Sequence, residues 1–138
     1  MAVPFSGGCA CGAIRYECSS KPLAMLNCHC RDCQQSSGAP FASGVVVSTD
    51  SVEISGSPKK YSVQASSGVS TIRSFCSNCG SPLFTRGEAR PDFMSIRFTS
   101  LDDSSEFRPV LDIWTASAAS WVCLNDELPH FAQSPPAG

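Results

Sequence analysis

The chain has 138 residues, 42% hydrophobic and only 16% charged, with a formal net charge of −2 and a sequence pI of about 5.6. That length fits one domain with a modest core, and no apolar run approaches a membrane span. No basic field is present to attract a phosphate backbone, so neither a membrane nor a nucleic acid is an expected partner. The opening stretch Met1 to Gly8 has neither the basic start nor the apolar run of a secretory signal. The expected compartment is therefore the cytoplasm, where thiols stay reduced.

Short β-branched or alternating runs, cut by Gly, Pro and Ser, dominate the chain, so most of it reads as strand. In chain order the expected strands are Ala13–Cys18, Leu23–Asn27, Phe41–Ser48, Val52–Ser55, Lys60–Val63, Val69–Phe75, Leu83–Thr85, Phe93–Phe98 and Leu111–Trp114. Turn clusters separate them, among them Gly56-Ser57-Pro58, Ser66-Ser67-Gly68 and Gly80-Ser81-Pro82. Helix is scarce: Arg31–Ser37 can form one or two turns before Gly38 and Pro40 stop it, and Ala116–Trp121 is a second short segment. The expected organisation is a single domain over 1–132 and a frayed, Pro-rich tail over 133–138.

Seven of the nine cysteines fall into three clusters: Cys9-Ala10-Cys11, Cys28-His29-Cys30-Arg31-Asp32-Cys33 and Cys76-Ser77-Asn78-Cys79. Such spacing suits a shared soft metal ion, with zinc the natural choice, better than disulfides. In an extended strand residues i and i+2 share a face, so Cys9 and Cys11 can bind one ion together. Cys76 and Cys79 fit a tight knuckle, with Gly80 supplying a positive φ. Together these four thiolates make a closed, structural site that pins the start of the chain to its middle. Cys28, Cys30 and Cys33 supply three ligands and leave a position open to substrate. The alternative is a second closed site completed by a further residue. His29 and Cys123 are the available fourth ligands, but a residue between two ligands at a strand end points away from them. Cys18 and Cys123 stand alone among apolar neighbours and read as small buried hydrophobes. Trp114 and Trp121 read as core.

The segments Gly7–Tyr16, Cys28–Cys33 and Ser74–Gly80, with Trp121 and Asp126-Glu127-Leu128-Pro129, resemble the glutathione-dependent formaldehyde-activating enzyme family, also called the centromere-protein-V-like family. The resemblance runs from about Gly7 to Phe131. It implies a mainly β fold of stacked antiparallel sheets, a β-tent. It also implies a structural zinc on Cys9, Cys11, Cys76 and Cys79, a catalytic zinc on Cys28, Cys30 and Cys33, and a carbon–sulfur lyase joining glutathione to formaldehyde.

The ligand chemistry points the same way. Three thiolates around Zn²⁺ leave a site charge of −1, which blunts the acidity needed to ionise water but suits an incoming thiol held as thiolate. The expected partner is a small thiol such as glutathione, with homo-oligomerisation left open. Asn27 and His29 could hydrogen-bond ligating sulfurs, the Gln34 to Gly38 loop could approach a peptide-like substrate, and Arg31 could meet its carboxylate. Against the family pattern, Asp112 stands where histidine is expected and Ala118 where a basic residue is common, which predicts weak glutathione binding if those positions face substrate. The competing class is a zinc-stabilised scaffold that binds a protein partner without catalysis.

Overall fold

The computed structural model describes residues 1–65 and 68–135, so Ser66, Ser67 and the last three positions of the expected tail lie outside the described residues. The strands are β1 (Phe5–Gly8), β2 (Arg15–Cys18), β3 (Ala24–Cys28), β4 (Ala42–Ser48), β5 (Val52–Ser55), β6 (Lys59–Gln64), β7 (Ser70–Phe75), β8 (Pro82–Gly87), β9 (Phe93–Arg97) and β10 (Leu111–Ile113). The single α-helix among the described residues, α1, spans Arg31–Ser37. Among the described residues no helix is long and apolar enough to cross a membrane.

A three-stranded sheet, β1-β2-β5, faces a seven-stranded sheet, β10-β3-β4-β9-β8-β7-β6. The mainly β expectation holds, with one departure from antiparallel order: β10 runs parallel to β3. Cross-strand register explains the core. Val45 opposes Ile96, Val47 opposes Met94, and Ile96 opposes Phe84, so these five side chains share one face of the large sheet. They pack with Tyr16 and Cys18 of the small sheet, and the Tyr16 and Phe84 rings meet edge to face with centroids 5.3 Å apart.

Several expectations need correction. The expected strands begin at Ala13 and omit β1, half of which is glycine, a residue with little strand preference. Glycine is required there by close approach: a Cβ on Gly7 would sit 2.2 Å from the Ser100 carbonyl oxygen and 2.3 Å from Tyr16 Oη. The last strand stops at Ile113, since Trp114 adopts a left-handed backbone with φ 57° that a strand cannot accommodate. Instead of a helix over Ala116–Trp121 there is one 3-10 turn, Thr115–Ser117. Trp121 is 73% exposed and Cys123 is also exposed, so neither belongs to the core, whereas Cys18 is fully buried.

The stretch from Pro129 to Gln133 runs along the outer edge of β10. Asp112 N–H donates to the Pro129 carbonyl (3.0 Å), Phe131 N–H to the Asp112 carbonyl (2.9 Å) and Trp114 N–H to the Gln133 carbonyl (3.1 Å).

Candidate metal centres and the arginine-lined cavity

The chain brings its clustered thiols together in two groups. The sulfurs of Cys9, Cys11, Cys76 and Cys79 lie within 4.8 Å of one another, and so do those of Cys28, Cys30 and Cys33. All nine cysteines are free thiols.

In the first group the Sγ atoms of Cys9 and Cys11 are 3.6 Å apart and those of Cys11 and Cys76 3.7 Å. A disulfide would need about 2.05 Å. A tetrahedron with zinc–sulfur bonds of about 2.3 Å has edges of about 3.8 Å, so the residues present fit a four-thiolate zinc. Both pairs sit on turns. Cys9 and Cys11 do not lie on an extended strand as expected: after β1 the chain turns through Cys9–Gly12, closed by Gly12 N–H to the Cys9 carbonyl at 3.2 Å, with Gly12 at φ 81°. Cys76 and Cys79 form the expected knuckle, where Gly80, at φ 78°, donates to the Cys76 carbonyl at 2.8 Å. Hydrogen bonds favour the ionised sulfurs. Ile14 N–H reaches Cys9 Sγ at 3.2 Å, and the Ser81 hydroxyl, 3.1 Å from Cys79 Sγ, helps bring that thiol down to about 5.

The second group is built across β3 and α1. Cys28 ends β3, and Cys30 caps the helix, its sulfur accepting Cys33 N–H at 3.3 Å. Gly38, left-handed at φ 66°, closes α1 by donating to the Gln34 carbonyl at 2.9 Å. Cys28 and Cys30 are buried and Cys33 is half-buried. Contacts with the Cys28 and Cys30 thiols, and then the charge of Arg73, hold Cys33 far below the usual thiol range, at about 2. The same contacts, with burial, push Cys28 up.

His29 turns away from the sulfurs. Asp112 opposes Asn27 in the β10–β3 register, and His29 lies two residues beyond Asn27, so both occupy the face opposite Cys28. There His29 Nε2 meets Asp112 Oδ1 at 2.9 Å, with both side chains sealed from solvent and His130 Nε2 at 3.8 Å from Asp112 Oδ2. His29 Nδ1 has no partner among the described residues. Asn27 Oδ1 accepts from Ser43 Oγ at 2.6 Å rather than contacting a sulfur. Gln34 braces the loop, its Nε2 donating to the carbonyls of His29 (2.8 Å) and Ser117 (3.0 Å). Arg31 is exposed and donates to Gln34 Oε1.

Two residues that sequence reasoning passed over complete the surroundings. Tyr61 opposes Arg73, Arg73 opposes Thr85, and Thr85 opposes Ser95, so these side chains share a face with Arg97, two residues beyond Ser95. Arg97 opposes Gly44, which opposes Leu26, so Cys28 shares that face too. Arg73 is 5% and Arg97 7% exposed. Arg73 Nη2 lies 3.9 Å from Cys33 Sγ, and Arg97 Nη2 donates to Ser36 Oγ at 2.7 Å. Burial, and then the like charge of Arg73, lower the pKa of Arg97, while Cys33 opposes the shift. Both arginines line a cavity of about 250 Å³ together with Ser36, Tyr61, Phe84 and Thr85. A larger cavity, about 450 Å³, is lined by Val52, Ile54, Lys60, Ile72 and Met94; a cysteine lines neither cavity, and Arg73 is the contact between the smaller one and Cys33.

Comparison with known proteins agrees with this geometry. A crystal structure of a Rhodobacter sphaeroides protein superposes with a TM-score of 0.58, covering 73% of this chain and 91% of that one at 18% sequence identity, which establishes a shared fold. The family model described as glutathione-dependent formaldehyde-activating enzyme matches residues 4–117, a span that includes all seven clustered cysteines and both buried arginines, and the chain belongs to that family.

Proposed function

We propose that the protein is a zinc-dependent thiol-adduct enzyme, a carbon–sulfur lyase that joins a small thiol such as glutathione to formaldehyde or a related carbonyl, or cleaves the adduct. One observation carries the reading: three cysteine sulfurs converge with no fourth histidine, cysteine or carboxylate among the described residues to close the site. Family membership supports glutathione and formaldehyde as the reactants. In this reading Cys9, Cys11, Cys76 and Cys79 hold a structural ion, and Cys28, Cys30 and Cys33 hold a second. That second ion, when bound, would supply an electron-rich centre able to keep a substrate thiol as its thiolate near neutral pH.

The chain's own groups set the rest. Cys28 and Cys30 anchor the site from buried positions, and half-buried Cys33 lies on the side bordered by Arg73. The Arg73 guanidinium offsets the negative charge collected on the sulfurs. In the reaction the thiol S–H proton leaves, the sulfur forms a bond to the carbonyl carbon, and the carbonyl π pair moves to oxygen. That oxygen takes up a proton, leaving the S-hydroxymethyl adduct.

Calorimetric titration of glutathione into zinc-loaded protein, in buffers of different ionisation enthalpy, tests the proposal. The expected result is saturable binding with release of up to about one proton per thiol, absent from the metal-free protein. No binding of any small thiol at millimolar concentration overturns it and leaves the non-catalytic scaffold.

A further inference from the structure

Two guanidiniums on buried residues beside one small cavity need counter-charge, since an unpaired buried charge is strongly destabilising. No ion pair among the described residues joins a carboxylate to Arg73 or Arg97; those seen elsewhere join the N-terminus to Glu106, Arg15 to Asp102, and His29 and His130 to Asp112. The sulfurs provide part. Three thiolates around a divalent ion keep one negative charge, and Arg73, 3.9 Å from Cys33 Sγ, is placed to balance it. Arg97 is left over. Its single hydrogen bond among the described residues goes to a neutral hydroxyl, Ser36 Oγ, and none of its other nitrogens is both sealed from solvent and unpartnered. Those donors open on the cavity.

We infer that Arg97, with Arg73 beside it, is a carboxylate-binding subsite, and that the thiol this protein accepts carries a carboxylate that the cavity receives while its sulfur reaches the three-cysteine site. A guanidinium presents paired N–H donors that match the two oxygens of a carboxylate, which an ammonium cannot do. The cavity's neutral lining has the same logic: Tyr61 and Thr85 offer apolar surface and two hydroxyls but no competing anion. At about 250 Å³ the space falls below the usual range for drug-sized ligands, so it takes a short mercapto-acid or one acid-bearing arm of a larger thiol. The thiol half of this inference rests on the function proposed above; the carboxylate half rests on the arginines alone.

The experiment compares 3-mercaptopropionate, 2-mercaptoethanol and S-methyl-3-mercaptopropionate by calorimetry on zinc-loaded wild type, Arg97→Gln and Arg97→Lys. Zinc content and circular dichroism confirm that each variant is folded. In the wild type the mercapto-acid should bind about tenfold or more tighter than the neutral thiol, the scale of one charge-assisted hydrogen bond. In Arg97→Gln that preference should collapse to within about threefold, with mercaptoethanol unchanged, and Arg97→Lys should restore it only in part. Equal affinity for the two thiols in the wild type, or a preference that survives Arg97→Gln, overturns the inference. If neither thiol binds, the thiol reading fails separately, and the S-methylated acid decides: binding that depends on Arg97 sustains the subsite, and no binding overturns it. Should Arg97→Gln not fold, retention of the full preference in Arg97→Lys overturns the paired-donor recognition.

Discussion

Replacing Asp112 tests the buried pair that holds His29. Asp112→Ala removes the acceptor 2.9 Å from His29 Nε2 and leaves an imidazole whose Nδ1 already lacks a partner. A hydrogen bond to a charged group contributes about 1.5–3 kcal/mol, and orphaning the buried donor costs about 1–3 kcal/mol more. Removing the carboxylate also removes its own burial cost, so the net loss should be about 3 kcal/mol. For a chain of this length that corresponds to a fall of about 10 °C in Tm. Asp112→Asn keeps an acceptor and should lose about 1 kcal/mol. Asp112→His, which installs the residue the resemblance leads one to expect, should not strengthen glutathione binding, because position 112 faces His29 and not the arginine-lined cavity. The assay is urea and thermal unfolding with excess zinc, followed by thiol titration of each variant. Asp112→Ala melting within about 2 °C of wild type, or tighter glutathione binding by Asp112→His, would refute this account of the pair.

The two thiol groups should separate under mutation and chelation: Cys76→Ser or Cys9→Ser should cost most of the fold, on the order of 10 kcal/mol for a structural zinc. Cys30→Ser should retain the fold, and a chelator followed by metal analysis should strip the three-cysteine ion first from two per chain. Equal destabilisation by both classes in thermal melts would make the second site structural. Asp102 predicts an acid limb. The Arg15 guanidinium, and then the Ser6 hydroxyl, hold its carboxyl below the usual range, so its contribution is present above pH 4 and fades as pH falls through the lowered value. The pair is exposed, so Asp102→Asn should remove no more than about 1 kcal/mol at neutral pH and flatten stability against pH below pH 4.

The division of seven thiols into four and three was legible because close spacing carries the geometry: a knuckle or a helix start positions Cys76 and Cys79, or Cys30 and Cys33, within a few residues. The buried arginines were not. Arg73 and Arg97 lie 24 residues apart in sequence, and only the run of pairings from β7 through β8, β9 and β4 to β3 places them on the face of Cys28. Each arginine sits next to an isoleucine in a short strand, Ile72-Arg73 and Ile96-Arg97, but which face it occupied waited on register. Asp112 stands out in the sequence as a departure from the family pattern, with a bearing on substrate only if it faces the site. The parallel β10–β3 pairing directs it to His29 instead, and no local pattern announces a parallel edge. Cys123 and Trp121 look like core by composition, yet the described residues after Thr115–Ser117 form no helix or strand to carry them inward.

The stretch laid along β10 has a consequence for how the chain can be cut. The family-matched region ends at residue 117, and the residues that occupy the outer edge of β10 come after it. A version trimmed to that region would keep every clustered cysteine and both arginines. It would also bare the peptide groups of Asp112 and Trp114, a strip on which another molecule's strand could dock. Such a trimmed protein should bind zinc normally and yet precipitate or pair edge to edge, so the last turns of chain act as a guard on solubility.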